Sequence, residues 1–459
     1  MSAPAGAGPR EVLGLREAVA ITVGIVIGAG IFKAPAMVAG LTGDPAWMFG
    51  AWLLGGLISL VGALCYAELA TTYPHAGGDY HFLHRAFGRS VSLLFGWARL
   101  SVITTGSIAL LGFVFGDYMT AILPLPGLSP AGSAAVYAAL SIVGLSWINL
   151  LGIRASSSTQ LWLTCLEIGG LLLVLAAALL ANAAPAAPPS PAPAATPSAA
   201  AFGLAMVFVL LTYGGWNEAA YISAEVRDAR RNMVKALVLS IGLITLLYLL
   251  VNWAYWRALG LQGMADSQAL AADVLALEFG AAGQVVISVM IAITALTSIN
   301  ATMIVGARTS YALGRDWTAL RWLGEWNDLR GAPANALRLQ CVVALALVAL
   351  GLATGGGFNT MVEFTAPVFW LFFLLSGLSL MVLRWREPQA VRPFRVPLYP
   401  LLPLVFCTTC GYMLWSSLSY VGAQTLGGLN AAWVSVGVLA LGLLLLWWLR
   451  GAARTAPAS

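Results

Sequence analysis

With 459 residues, 60% of them hydrophobic and only 9% charged, and a mean hydropathy of +0.87, the chain lacks the charged surface that a water-soluble globule requires. Disorder, which needs low hydrophobicity and high net charge, is excluded as well. What remains is an integral membrane protein whose surroundings are a lipid bilayer; the placement of its net charge of +5 matters more than the sum, and no nucleic-acid partner is expected.

Uncharged apolar runs recur along the chain with lengths near the roughly 20 residues that cross a hydrocarbon core of about 30 Å as a helix, too long for barrel strands. The polar segment 1–15 contains Glu11 and precedes a first run too long and unsuitably flanked for a cleaved signal, so the first span is expected to be retained. Read between breakers, the predicted spans are 16–40, 46–72, 91–121, 131–149, 158–181, 201–225, 235–256, 282–312, 337–354, 359–383, 399–420 and 429–449. Of the 23 Lys and Arg residues, Lys33 and Arg99 fall within spans, Arg257 alone falls in a loop on one side, and the remaining twenty lie on the other. That segregation puts both termini, 1–15 and 450–459, in the cytoplasm and makes the number of spans even.

The uncharged Pro/Ala segment 182–200 is expected outside and divides the chain near its midpoint. Five spans precede it (16–181) and five follow (201–384) before a basic loop and two further spans (385–449). Because five is odd, any repeat must be inverted. The first span of each set is interrupted by glycines: Gly24–Gly30 (GIVIGAG) in one, Tyr213–Asn217 (YGGWN) in the other. Glycine weakens a helix by roughly 1 kcal/mol relative to alanine, and a broken span is tolerated in lipid only around a protein-lined cavity. There, half-helix N-termini offer N–H groups to a carboxylate and C-termini offer carbonyls to an ammonium, which matches an amino acid zwitterion. Either glycine run alone reads more readily as close helix packing, but their matched placement favours paired breaks.

At these residues the sequence resembles the amino acid-polyamine-organocation transporter superfamily, close to its L-type amino acid transporter branch and bacterial relatives. The likeness runs through Arg16–Pro35, Cys65–Gly88, Tyr213–Asn232, Ala307–Asp316 and Arg386–Pro403. It implies an all-α, twelve-helix fold of the leucine-transporter type, with a five-plus-five inverted repeat and discontinuous helices 1 and 6, and amino acid transport by alternating access. Position by position, Gly28, Ala29 and Gly30 match the unwound segment that receives the substrate carboxylate, with Ile27 entering it. Leu211, Thr212, Tyr213, Gly214 and Gly215 match the sixth-span break that receives the amino group, and Asn217 matches a polar residue near the substrate. Ala29 stands where many relatives have serine, and Leu211 where the L-type branch has phenylalanine. Some L-type relatives join a single-pass glycoprotein through an extracellular disulfide; no cysteine here lies in a predicted outer loop, and no obligatory protein partner is implied.

A charge at the bilayer centre costs on the order of 3 kcal/mol, so Lys33, Arg99, Glu167 and Glu218 each need a partner or a purpose. Glu167 corresponds by the same resemblance to a lysine of the L-type branch that stands in for a sodium ion. A carboxylate there can titrate a proton, complete a sodium site with Thr297 and Ser298, or pair with Arg99, so coupling to H+ or Na+ is expected without a choice between them. Glu218 reads either as facing the inner pathway or recognising a positive group on a substrate, or equally as pairing with a basic residue, without an expectation of cationic substrates; Glu68 reads as locking the loop of Gly77, Gly78 and Asp79, and Trp216 as packing or pathway lining. The three histidines, His75, His81 and His84, share one loop, Cys407 and Cys410 have no second ligand pair, and neither HExxH nor a P-loop occurs, so no metal, cofactor or enzymatic activity is expected. The expectation is a permease of small neutral amino acids in a bacterial inner membrane, symporter or antiporter, with a nutrient sensor or channel of the same fold as the alternative.

Overall fold

The computed structural model describes residues 11–28, 30–180, 196–267, 270–327, 329–354, 357–421, 425–426, 429–430, 437 and 440–447. The first predicted span divides into α1 (Leu15–Val26) and α2 (Gly30–Thr42). Then follow α3 (Pro45–Thr72), the short α4 (Asp79–Phe87), and a third span built of α5 (Arg89–Ala98), a π-helical turn at Arg99–Ile103, and α6 (Thr104–Ile122). The fourth and fifth spans are α7 (Pro130–Leu151) and α8 (Ile153–Leu180). The sixth is α9 (Ala199–Tyr213) continued by a 3-10 helix, Trp216–Glu225. Beyond it lie α10 (Ala229–Asp266), α11 (Leu270–Phe279), α12 (Ala281–Asp316), a 3-10 segment at Thr318–Gly324, α13 (Ala334–Thr354), α14 (Gly357–Arg386) and α15 (Leu401–Val421). Thr425–Leu426 pairs antiparallel with Leu429–Asn430. Ala29, residues 181–195 of the linker, and residues 431–436, 438–439 and 448–449 of the predicted twelfth span lie outside the described residues.

Local chemistry sets several of these boundaries. Asp44 caps α3 by accepting from the Ala46 and Trp47 amides, with Pro45 at the first helical position. Ser129 and Pro130 open α7 in the same manner, and Ser198 accepts from Ala201 N at the start of α9. The fifth helix begins five residues earlier than its hydropathy indicates, because Gly152 alone (φ 127°) turns α7 into α8. A side chain there would collide with the Arg330 carbonyl oxygen, 2.3 Å from the position of a Cβ, so glycine's freedom is required on both counts. Arg257, read as an outer-loop residue, lies on α10, which stays helical to Gly260 (φ 68°) and resumes beyond it.

Seven helices among the described residues are long and apolar enough to cross a bilayer, including α3, α7, α10 and the α5–α6 unit. A continuous apolar core joins most of them, while α7 packs with α6, α12 and α13 in a second apolar cluster. Around the first break, α1 packs on α8, α10 and α12, while α2 packs on α9 and α10.

Candidate functional site at the two helix breaks

The first helix stops because Ile27 leaves the helical region (φ −71°, ψ 104°) while its own amide still bonds to Val23 O. Ile27 is fully buried, Gly28 and Gly30 are partly exposed, and α2 restarts with Ile31 N reaching back to Gly28 O at 3.4 Å. In the sixth span α9 ends at Tyr213, Gly214 N closes on Leu211 O at 3.1 Å, and Gly215 takes a left-handed φ of 111°. The following 3-10 helix is a tighter winding in which residues three apart share a face.

The two breaks are in contact. A Cβ on Gly215 would lie 2.6 Å from Ile25 Cγ2 and 3.3 Å from Ile25 O, and one on Gly30 would lie 3.0 Å from Thr212 Oγ1. Tyr248 of α10 sits between them, with its hydroxyl 3.0 Å from Val26 O and 3.1 Å from Thr212 O. Both carbonyls belong to the negative, C-terminal ends of half-helices, so one hydroxyl donor answers two ends at once. At the same break, Ser298 donates toward Gly24 O (3.1 Å) and Ile27 O (3.2 Å), and Thr164 donates to Ala20 O. Tyr213 is buried and donates to Trp52 O, and Thr212 donates within its own helix to Phe208 O.

A cavity of about 310 Å³ opens from the junction, within the usual range for small-molecule sites. Of the residues singled out in the sequence, Leu211, Gly214 and Gly215 line it, together with Ile25, Ile58, Phe369 and Phe373. Trp216 does both things considered for it: it faces the cavity and packs into a cluster with Tyr66, Phe373 and Phe406, a position that Gly62 makes possible by lacking a Cβ. Asn217 is buried behind this wall, lining a small void with Asp79, Arg99 and Ser376.

The intramembrane charges sort themselves differently from one of the expectations. Arg99 pairs with Glu218, not with Glu167, through two hydrogen bonds of 2.9 and 2.6 Å. Its guanidinium also lies 4.2 Å over the Tyr221 ring. Glu167 is 3% exposed, and neither carboxylate oxygen has a hydrogen-bond partner among the described residues. Thr297 donates to Ile293 O, and no group of three or more His, Cys, Asp or Glu side chains converges on a metal position among the described residues. Glu68 does not hold the Gly77–Asp79 loop. It accepts from Arg384 Nε and Nη2 (2.8 and 2.5 Å) and from Val396 N, whereas Asp79 accepts from Tyr66 and Tyr221 (2.6 and 2.7 Å). The Lys33 side chain is not among those described.

Buried charges paired across a bundle, apolar helices of spanning length and a ligand-sized cavity where two helices break are features of membrane transport proteins. The amino acid permease family profile matches residues 13–448, and the chain belongs to that family, within the amino acid-polyamine-organocation superfamily. It is similar to the b(0,+)-type amino acid transporter 1 of Homo sapiens, with 30% identity over 391 residues, 84% of this chain and 78% of the relative. It is 28% identical to the Asc-type amino acid transporter 1 of Mus musculus, over 94% of this chain and 80% of that one. The same identity holds for the large neutral amino acids transporter small subunit 2 of Mus musculus, over 90% and 77%. Family and relatives are transporters, not enzymes, and the protein is an integral membrane protein.

The Tyr248 bridge was not visible in the sequence, where the residue is one aromatic in the apolar run LITLLYLLVN. Arg99 and Glu218 were conspicuous as charges, but the pairing of positions 119 residues apart leaves no local signal.

Proposed function

We propose that this protein is a secondary carrier of small neutral amino acids that works by alternating access. The observation that carries the reading is the meeting of the two breaks, where Gly215 packs so near Ile25 that a Cβ would not fit and Tyr248 joins Val26 to Thr212. The N–H groups of Gly28–Gly30, Ala29 included, receive the substrate carboxylate at the positive start of α2. The ammonium goes to the end of α9, where the Tyr213 and Gly214 carbonyls take no backbone hydrogen bond among the described residues. Leu211 and the apolar cavity wall receive the side chain, with Ile27, Thr212 and Asn217 as supports.

On this reading the fold is the twelve-helix, five-plus-five inverted repeat, with the linker outside and both termini in the cytoplasm of a bacterial cell. The breaks then stay near the bilayer midplane while the two sides exchange access. A disulfide-linked second subunit is not part of this reading, because the five cysteines lie within α3, α8, α13 and α15 rather than in an outer loop. Ion coupling runs through the region of Glu167, Thr297 and Ser298, by H+ or Na+. Support comes from a buried carboxylate without a hydrogen bond and from a serine set against the carbonyls of the first break.

The test is uptake of labelled amino acids into proteoliposomes with imposed Na+ or H+ gradients, comparing the parent with Glu167→Gln. Saturable, trans-accelerated uptake is expected, and its gradient dependence is expected to vanish in the variant. Binding without flux would instead identify a sensor, and unchanged gradient dependence would remove the role given to Glu167.

A further inference from the structure

The cavity wall carries one acid and one base, and they are bound to each other. Glu218 lies in the first turn of the 3-10 helix that begins one residue past Gly215, and its amide donates to Gly215 O at 3.0 Å. This is where the side chain of an amino acid held at the breaks would reach. Both residues line the same cavity. Arg99 meets Glu218 from the π-helical turn of the third span, Nη1 donating to Oε1 and Nη2 to Oε2, with side chains only 4% and 12% exposed. The other acid near the guanidinium, Asp79, is already held by two tyrosine hydroxyls.

A buried ion pair often does no more than join two helices. This one is distinguished by its place: it forms the charged end of a ligand-sized cavity that is otherwise largely apolar, with Ile58, Ile103 and Phe369 on its walls. A planar guanidinium held bidentately is the geometry with which a carboxylate would bind the side chain of arginine.

Resting on the reading of this cavity as the substrate site, we infer that Arg99 is a tethered counter-ion that sets the substrate class. It fills the cation position offered by Glu218, so the cavity accepts uncharged side chains and refuses cationic ones. A substrate ammonium or guanidinium would have to displace a partner that is covalently part of the protein. Without Arg99, Glu218 becomes a receptor for a substrate cation. Without Glu218, Arg99 becomes a receptor for an anionic side chain.

The test uses Arg99→Leu, Glu218→Gln and the double variant in proteoliposomes, with labelled leucine as tracer and L-arginine or L-glutamate as competitors. Arg99→Leu is expected to raise the effectiveness of arginine relative to leucine at least tenfold, and the double variant to abolish the gain. Thermal unfolding in detergent supplies a readout independent of transport: millimolar L-arginine, but not L-leucine, should raise the Tm of Arg99→Leu and leave the parent and the double variant unmoved. A folded Arg99→Leu that shows neither effect, or a double variant that shows both, overturns the inference. If Arg99→Leu does not fold, Glu218→Gln decides: glutamate must inhibit leucine uptake at least several-fold better than in the parent, and no change sinks the idea. Absence of any uptake by the parent would count against the carrier reading alone, because the arginine-dependent Tm shift would still report the vacated counter-ion position.

Discussion

The hydroxyl of Tyr248, midway along α10, lies 3.0 Å from the carbonyl oxygen of Val26, the last helical residue before the first break. Its second acceptor, Thr212 O at 3.1 Å, belongs to the other broken span, so a single proton is shared between two helix ends. Tyr248→Phe leaves both carbonyls buried beside a ring edge without that donor. A loss of about 1–3 kcal/mol is expected, together with a several-fold fall in the uptake rate. Tyr255, two turns further along α10, is the control: its buried hydroxyl has no hydrogen-bond partner among the described residues, so Tyr255→Phe should cost nothing. Equal Tm shifts for the two variants would show that the bridge does not hold the breaks together.

Gly215 combines a left-handed φ of 111° with a position against Ile25 where a Cβ would lie 2.6 Å from Cγ2 of that side chain. Gly215→Ala therefore meets a backbone penalty and a steric one together, and destabilisation of about 1–3 kcal/mol is expected with loss of transport. Gly242→Ala, at an open position on α10 with nothing within 4 Å, is expected to be neutral or to stabilise by up to about 1 kcal/mol. Transport that survives Gly215→Ala would mean the breaks do not need to approach this closely.

These residues also mark how far the sequence could be read. The breaks are legible because glycine runs inside apolar spans have few physical uses, and the spans are legible because lipid penalises charge. The family followed from ordered motifs. The partners of Arg99 and Glu68 did not follow, since a charge in a span states that it needs a counter-ion without saying which one. The 3-10 winding after Gly215, which has Glu218 in its first turn, also escaped: the YGGWN run marks an interruption but not the pitch of the helix that resumes. Gly152 was passed over because its one-residue turn leaves no polar loop for hydropathy to register.

Glu68, 1% exposed on α3, accepts from both Arg384 of α14 and the Val396 amide, with Arg392 Nε at 3.4 Å. Removing one member of a buried pair strands the other, which costs about 3–5 kcal/mol. Glu68→Gln should lower the Tm in detergent strongly, and Glu68→Gln combined with Arg384→Met should recover part of the loss, because the double variant removes the guanidinium that donates to Glu68 twice and leaves only Arg392, which also donates to main-chain carbonyls. If the two single changes simply add, the pair contributes nothing as a pair.

His75 and His81 stack at 4.2 Å between ring centroids in the segment around α4, and His75 Nδ1 accepts from the Gly77 amide, which requires an unprotonated nitrogen. Burial is the largest influence on both rings, lowering His75 below its ordinary range and taking His81 down to about 3; the neighbouring imidazole and Arg85 add to the effect on His81. Asp316 pulls His75 the other way, and His84 and Arg315 oppose it. Since both folded-state values lie below the unfolded value near 6.5, the unfolded chain binds more protons in acid. The stability contributed by the neutral rings is therefore complete above about pH 6.5 and is lost progressively as the pH falls toward the folded values, at up to about 1.4 kcal/mol per pH unit for each ring. Unfolding in detergent between pH 7.5 and 5 should show the parent losing stability, and His81→Gln, which keeps a neutral polar side chain that cannot titrate, should flatten the profile. Parallel profiles for parent and variant would show that the buried imidazole is not the group that titrates.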